Sequence, residues 1–303
     1  MSASSSSSLS PIGIFYALLA YGSWGLLPIY WKLFGDVPAV EVLSHRMIWS
    51  LVFLLGLLLG QQRLDELKAV VRSPPRLRVL LLTATLIAFN WGIYIYGVNS
   101  DRVVETSLGY YINPLVTVLL GTVILRERLN RLQWLAVGLA TVGVVHFVWD
   151  LGQVPWIALG LALSFAFYGL LRKVTAVTPL VGLAVETLTI APLLLILVGY
   201  WQVQGVGHFG RTLPLTLLFM GAGIVTSLPL LWFNNAAQRL PLSAMGFFQY
   251  IAPSLALLLG VFRYQEPFTP THALTFGCIW LALGLYSVNL WWQQGRVMPR
   301  GES

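Results

Sequence analysis

The chain has 303 residues, of which 57% are hydrophobic and only 10% are charged, and its mean hydropathy is +0.77. Soluble globular proteins carry about 25% charged residues, so this composition excludes an ordinary soluble domain and indicates a membrane protein. The single cysteine, Cys278, excludes an internal disulfide framework and a cysteine-rich metal site.

Ten apolar stretches alternate with short polar turns, and each is about 20 residues long, the length that crosses a bilayer. They predict an all-α membrane protein with ten transmembrane helices. Residues 1–12 are predicted to be a disordered polar N-terminus without the basic segment of a secretory signal, and residues 293–303 a cytoplasmic tail. The predicted spans are 13–32, 41–60, 79–99, 103–125, 132–149, 155–174, 180–201, 213–235, 242–262 and 271–292.

The formal net charge of +7 follows the topology rather than a nucleic-acid surface. With the N-terminus inside, thirteen basic residues fall in cytoplasmic segments and four (Lys32, Arg102, Arg211 and Arg263) fall outside. This positive-inside bias predicts that both termini are cytoplasmic. The residues counted as cytoplasmic are Arg63, Lys68, Arg72, Arg76, Arg78, Arg126, Arg128, Arg131, Arg172, Lys173, Arg239, Arg296 and Arg300.

The chain repeats itself. Tyr111-Ile112-Asn113-Pro114 recurs as Tyr250-Ile251-Ala252-Pro253 at an offset of 139 residues. The two predicted units cover residues 13–149 and 155–292, with five spans each. An odd number of crossings inverts the second unit relative to the first, and inverted repeats around a midplane site are typical of secondary transporters. Gly121, Glu127 and Gly138 recur at the same offset as Gly260, Glu266 and Gly277.

Five strings carry a resemblance to a known family, and the two most distinctive are Ser44-His45-Arg46-Met47-Ile48-Trp49-Ser50 and Ser107-Leu108-Gly109-Tyr110-Tyr111-Ile112-Asn113-Pro114-Leu115. With these strings, over residues 11–292, the chain resembles the drug/metabolite transporter superfamily, EamA family, and its RarD-like branch. The resemblance implies ten helices in two inverted five-helix repeats, a bacterial inner-membrane location and small-molecule permease activity. Related permeases tend to have Gly-Glu at the ends of spans 4 and 9, whereas this chain has Arg126-Glu127 and Gln265-Glu266. The other three strings are Tyr21-Gly22-Ser23-Trp24-Gly25, Ser164-Phe165-Ala166-Phe167-Tyr168-Gly169 and Gly246-Phe247-Phe248-Gln249-Tyr250-Ile251.

Three charged residues fall inside predicted spans, where ionised groups are costly and often functional. Arg46 in span 2 is expected to pair with Glu105 in span 4, and Asp101 in the turn before span 4 is the other candidate. This pair could gate the outer side or anchor an anionic group of a solute. It could equally be a structural ion pair, and Arg46 could snorkel to the surface. Glu186 in span 7 is the candidate for carrying a coupling proton; the alternative is a packing carboxyl bonded to a neighbouring helix.

Pro114 and Pro253 lie near the middle of spans 4 and 9, where a proline frees the carbonyl four residues earlier. We therefore predict the substrate site between these two spans. Its aromatic lining favours amphipathic or aromatic solutes and organic cations. The predicted substrate-binding residues are Tyr110, Tyr111, Asn113, Pro114, Gln249, Tyr250 and Pro253, with Trp24, Trp91, Tyr94 and Tyr168 on facing spans.

These patterns favour a permease, acting as an exporter, for a small organic solute. The alternatives are an intramembrane enzyme acting on a lipid-linked substrate and a channel or sensor without a coupled cycle. An enzyme should cluster acid and base residues at one depth, and a channel should show polar rings along one path; neither pattern is evident. We expect no catalytic residues, metal ligands or cofactors. The expected partners are a small-molecule substrate and the lipid bilayer, not nucleic acid, with the chain as a monomer or homodimer.

Overall fold

A computed structural model describes residues 9–100, 102–152, 154–263, 265 and 270–295. Within these residues all regular structure is helical. A short 3₁₀ turn, Lys32–Phe34, follows the first helix, and a π-helical turn, Leu259–Arg263, follows α11. The helices are α1 Pro11–Trp31, α2 Ala39–Gly60, α3 Leu64–Val71, α4 Pro74–Asn99, α5 Val103–Val123, α6 Arg131–Leu151, α7 Trp156–Val174, α8 Pro179–Val203, α9 Leu213–Arg239, α10 Leu242–Gln249, α11 Ile251–Leu258 and α12 Pro270–Gly295.

Eight segments of the described residues are long and apolar enough to cross a membrane. They lie in α1, α2, α4, α6, α7, α8, α9 and the α10–α11 segment. The apolar stretches in α5 and α12 are shorter, at 108–123 and 273–289, and they occupy the predicted spans 4 and 10. The all-helical prediction is therefore confirmed for the described residues, and the chain is an integral membrane protein.

The two prolines act differently on their helices. α5 runs without a break over Pro114. The predicted span 9 divides at Tyr250 into α10 and α11, and the Tyr250 N–H donates to the Phe247 carbonyl at 3.2 Å, a tighter turn than in an α-helix. The break lies beside the Gln249 carbonyl, which Pro253 deprives of its donor. A break is thus found in one of the two equivalent segments only.

The long helices pack mainly in pairs. α2 packs against α8 and α9, α1 against α9 and α11, α7 against α4 and α5, α5 against α10, and α6 against α12. Small residues allow the closest approaches: a Cβ added to Gly223 of α9 would lie 2.3 Å from the Trp49 backbone of α2. Below, the end of the bundle at which α1 begins is called the inner end and the opposite end the outer end, after the predicted topology.

Candidate functional site

The outer half of the bundle holds an arginine set among aromatic rings. The Arg46 guanidinium carbon lies 5.0 Å from the ring centre of Trp91 on α4 and 5.7 Å from that of Trp31 at the end of α1. Both distances are within the range of a cation–π contact. Arg46 is about 10 Å from the outer end of α2, counted at 1.5 Å per residue. Its charge is therefore held inside the bundle by two tryptophans.

Two tyrosines complete the surroundings of Arg46. The hydroxyl groups of Tyr94 on α4 and Tyr110 on α5 lie near its guanidinium. Tyr110 is 53% exposed, although its neighbours Gly109 and Tyr111 in α5 are buried. Tyr110 therefore connects the surroundings of Arg46 with the surface of the helix bundle. We call the space bounded by Arg46, Trp91, Tyr94 and Tyr110 the outer gap.

The inner half holds a buried carboxylate with a full set of partners. Glu186 of α8 accepts hydrogen bonds from the hydroxyls of Thr83 at 2.6 Å and Tyr168 at 3.2 Å. The Nε of Arg172 lies 3.6 Å from the Glu186 carboxylate, and these two side chains are 0% and 2% exposed. A buried ion pair is tolerated only when further hydrogen bonds compensate the lost hydration. We call this set of residues the inner network.

Asn234 of α9 completes the inner network. Its Oδ1 accepts from the Arg172 Nε at 3.2 Å, and its Nδ2 donates to the Tyr168 hydroxyl at 3.2 Å. The Arg172 Nη2 donates to the Pro179 carbonyl at 3.4 Å. A Cβ on Gly182 would lie 2.0 Å from the Arg172 Nη1, so only glycine leaves room for this guanidinium. Polar groups from four helices thereby support one another, which fixes the arrangement.

A small cavity touches residues of both charged sites. Trp91 lines this cavity, and its indole ring also contacts Arg46. Glu186, Tyr168 and Met47 of α2 line the same cavity. The cavity has room for about one water molecule. Trp91 therefore lies between Arg46 and the cavity that Glu186 lines.

The predicted site between spans 4 and 9 is packed. The Tyr250 hydroxyl donates to the Tyr111 carbonyl at 3.3 Å, so two positions equivalent in the sequence repeat are in direct contact. The Thr117 hydroxyl lies 3.2 Å from the Asn113 Oδ1 and 3.1 Å from the Gln249 Oε1 and can donate to either. Each of these residues is less than a tenth exposed. Their role in binding a solute stays a prediction, since a solute would have to replace these bonds.

The predicted site residues thus form three groups. The outer group is Arg46, Trp91, Tyr94 and Tyr110. The central group is Tyr111, Asn113, Pro114, Gln249, Tyr250 and Pro253, and the inner group is Tyr168 and Glu186. Trp24 packs edge-on against Tyr21 and Phe165 near the inner group. The predicted partner of Arg46, Glu105, lies in α5, and its side chain is outside the described residues.

Several important residues were not predicted. Arg172 was counted among cytoplasmic loop residues because it ends an apolar run and precedes Lys173; instead it belongs to α7 and is fully buried. Thr83 and Asn234 gave no signal, because polar residues of this size are common in membrane helices. Trp31 was not singled out from the other aromatics at span ends.

The inner end is closed by a carboxylate that caps a helix. Glu127, just beyond α5, accepts hydrogen bonds from the Leu242 N–H at 2.6 Å, the Ser243 N–H at 2.8 Å and the Ser243 hydroxyl at 2.6 Å. These groups form the first turn of α10, where a negative charge is favoured. A Cβ on Gly121 would lie 2.8 Å from the Glu127 Oε2. This contact explains why glycine and glutamate occur together at these positions.

Lys173 holds the same turn from the other side. Its Nζ donates to the Ala237 carbonyl at 3.0 Å and to the Leu240 carbonyl, at the end of α9. The outer end has a corresponding contact: Glu41 of α2 accepts from the backbone N–H of His208 at 2.6 Å and lies 2.7 Å from its Nδ1. Each end therefore has a carboxylate that ties a loop or turn to the bundle.

The residues that replace glycine in the Gly-Glu pattern, Arg126 and Gln265, have an unusual backbone conformation. Arg126 and Gln265 have φ angles of +56° and +58°, in the left-handed region that favours glycine. Both residues directly precede a glutamate, and they are separated by the offset of the sequence repeat. The backbone therefore has a left-handed φ angle at both positions.

This fold, with charged and polar groups inside a bundle of apolar helices, defines a polytopic α-helical membrane protein. The EamA-like transporter family matches residues 11–149. Protein RarD of Salmonella typhi is 46% identical over 278 residues, which cover 91% of this chain and 95% of that protein. An uncharacterized transporter of Vibrio cholerae is 47% identical over 278 residues, covering 91% and 92%. The chain therefore belongs to the EamA-like transporter family, in its RarD-like branch, and is a membrane transporter.

A solved crystal structure shares the fold. It superposes with a TM-score of 0.71 over 92% of this chain and 98% of the other, at 18% sequence identity.

Proposed function

We propose that this chain is a secondary transporter that exports a small organic solute by alternating access. The ten spans are α1, α2, α4 to α9, the α10–α11 segment and α12. Residues 13–149 and 155–292 form two inverted five-helix repeats, between the polar N-terminus and the tail at 293–303. Both termini face the cytoplasm of a bacterial cell, and the helices lie in its inner membrane.

The helix-packing pattern carries this proposal. The sequence repeat makes α1 equivalent to α7, α2 to α8 and α4 to α9. The contact of α2 with α9 is then equivalent to that of α8 with α4, and the contact of α1 with α9 to that of α7 with α4. All four contacts are present. The contacts of α5 with α7 and of α11 with α1 are likewise equivalent. In the contacts α2–α8, α5–α10 and α6–α12, each helix packs against its own equivalent in the other repeat. A two-fold operation in the membrane plane requires this pattern, and inverted repeats provide two equivalent packings for alternating access.

The two ends support an assignment of the conformational state. At the outer end Tyr110 is half exposed, although Glu41 holds the His208 loop there. At the inner end, by contrast, Glu127 and Lys173 together hold the α9–α10 turn. We assign this arrangement to the outward-facing state. In the inward-facing state the outer gap would close, and the hydrogen bonds of Glu127 to α10 would break. Glu186, buried beside the small cavity, remains the proposed carrier of a coupling proton.

Cysteine accessibility tests alternating access without a known substrate. Cys278→Ala provides the background, and Tyr110→Cys places a thiol in the outer gap. Tyr110→Cys should react with an impermeant maleimide added from outside. Adding Glu127→Gln weakens the inner closure, so the inward-facing state should gain population and labelling at position 110 should fall.

The control is Leu33→Cys in the exposed 3₁₀ turn at the outer end of α1, whose labelling should not respond to Glu127→Gln. Unchanged labelling of Tyr110→Cys beside a clear rise in inner-end accessibility, read at Ser243→Cys, would indicate a channel open at both ends and contradict alternating access.

A further inference from the structure

We propose that the outer gap binds the anionic group of an amphipathic solute, with Arg46 as its anchor. This inference rests on the proposed function, since it assigns a substrate class to the same transport route. It develops the anchor role that the sequence allowed for Arg46, and it opposes the sequence-based expectation that the aromatic residues favour organic cations.

The tryptophan faces that would attract a cation are already occupied. Trp91 and Trp31 both have the Arg46 guanidinium over their rings, at 5.0 and 5.7 Å. A cationic solute entering the outer gap would have to displace Arg46 or come close to its positive charge. In a space of low dielectric constant, like charges a few ångströms apart repel strongly. The outer gap therefore disfavours cations.

Among the residues that the structure describes, no carboxylate neutralises Arg46; Asp101 and the Glu105 side chain, its predicted partners, lie outside the described residues. Glu186 is already matched by Arg172 and two hydroxyls in the inner network. Within the described part of the chain, no carboxylate lies within ion-pair distance of Arg46, and its buried Nε has no hydrogen-bond partner there. A guanidinium carries five N–H donors in a planar fork, which matches a carboxylate.

The walls of the gap suit the remainder of the solute. The hydroxyls of Tyr94 and Tyr110 lie near Arg46 and can donate to the same anion. Tyr110 offers a half-exposed ring, and Trp91 forms the inner boundary toward the small cavity. An anionic head at Arg46 with an aromatic or other apolar body against these rings fits the chemistry of the lining.

The test uses three probes of nearly equal shape: 3-phenylpropionate, its neutral amide 3-phenylpropionamide, and the cation 3-phenylpropylamine. Purified full-length protein is titrated with each probe, and the melting temperature is recorded. The anion should raise the melting temperature of the wild type, and the amide and amine should not. Arg46→Gln should weaken anion binding about tenfold or more, the size of a lost charge-assisted hydrogen bond.

Matched variants keep the test decisive. Arg263→Gln removes an exposed arginine at the outer end and should leave anion binding unchanged. Tyr94→Phe should weaken binding several-fold while leaving Arg46 in place. If Arg46→Gln does not fold, Arg46→Lys replaces it in the test, because lysine keeps the charge but lacks the planar fork. Arg46→Lys should bind the anion more weakly than the wild type does. It should still bind the anion more tightly than the amide.

Three results would overturn the inference. The first is equal or greater stabilisation by the amide or the amine. The second is anion binding that Arg46→Gln leaves intact. The third is anion binding that appears only in the Glu105→Gln variant, since Glu105 would then be the ion-pair partner of Arg46 in the wild type. None of these results touches the accessibility test of alternating access, so the two proposals can fail separately.

Discussion

Arg46 in the outer gap and Glu186 in the inner network occupy corresponding places with opposite charges. Each lies about 10 Å from the end of its helix, at 1.5 Å per residue. Around Glu186, polar groups from four helices bond to one another, although the buried Arg172 Nη1 has no hydrogen-bond partner among the described residues. Around Arg46, two tryptophan rings contact the guanidinium, and no described carboxylate lies within ion-pair distance. The difference shows that the partners, more than the depth, decide whether a charge seals a bundle or stays available.

Removing the cation of the inner network should give the largest effect. Arg172→Ala leaves the Glu186 carboxylate without its ion-pair partner, and the expected loss is about 3–5 kcal/mol of unfolding free energy. Arg46→Ala should cost only about 1 kcal/mol, the size of a cation–π contact. Unfolding of the purified protein in SDS-containing mixed micelles measures both. Equal losses at the two sites would break the comparison.

The double variant Arg172→Ala/Glu186→Gln sharpens the same point. It removes the unpaired charge and should recover part of the loss caused by Arg172→Ala. Strictly additive losses would mean that the two groups do not stabilise each other.

Crowding the guanidinium should come next in size. Gly182→Ala places a methyl group 2.0 Å from the present position of the Arg172 Nη1, so Arg172 must move from its partners. We expect a loss of about 1–3 kcal/mol, measured by the same unfolding assay. Gly199→Ala is the matched control in the same helix, because nothing lies within 4 Å of its added Cβ. It should be neutral or slightly stabilising.

Weakening the inner closure should cost less. Ser243→Ala removes one of the three hydrogen bonds to Glu127 and keeps the two from backbone N–H groups. We expect a loss of about 1 kcal/mol in the unfolding free energy. Thr122→Ala is a control nearby, since the Thr122 hydroxyl bonds only the Leu119 carbonyl of its own helix. A loss as large at Thr122 would remove the special role of the cap.

The smallest expected effect is a gain. Arg126→Gly and Gln265→Gly replace residues held at positive φ. Relief of the left-handed strain, about 1–2 kcal/mol, is partly offset by the greater backbone entropy of glycine in the unfolded chain, about 0.5–1 kcal/mol. Each variant should therefore be more stable by up to about 1 kcal/mol. Arg126→Ala keeps the strain and should show no gain in the same measurement.

The sequence was sufficient for the helical architecture, because apolar stretches of membrane-spanning length dominate this chain. It was also sufficient for the family, because the strings around Arg46 and Tyr111 are distinctive together. The contacts between helices were harder to predict. Arg172 has the sequence context of an interfacial residue, and only the space above Gly182 reveals that its side chain turns inward. Thr83 and Asn234 became recognisable only through their bonds to Glu186 and Arg172.

The prolines show the same limit. Pro114 and Pro253 are equivalent in sequence, and either could break its helix. The helix breaks at Tyr250 and continues over Pro114. A proline in the sequence therefore does not by itself predict that its helix breaks.

The inner ion pair also bears on how the chain enters the membrane. Arg172, Pro179, Gly182 and Glu186 all belong to the hairpin of α7 and α8. The two most costly charges of this region can therefore neutralise each other as soon as that hairpin inserts, and Thr83 of the earlier helix α4 is already available as a donor. Because a lone arginine or glutamate within a span opposes insertion, we expect α7 and α8 to integrate as a unit during biosynthesis.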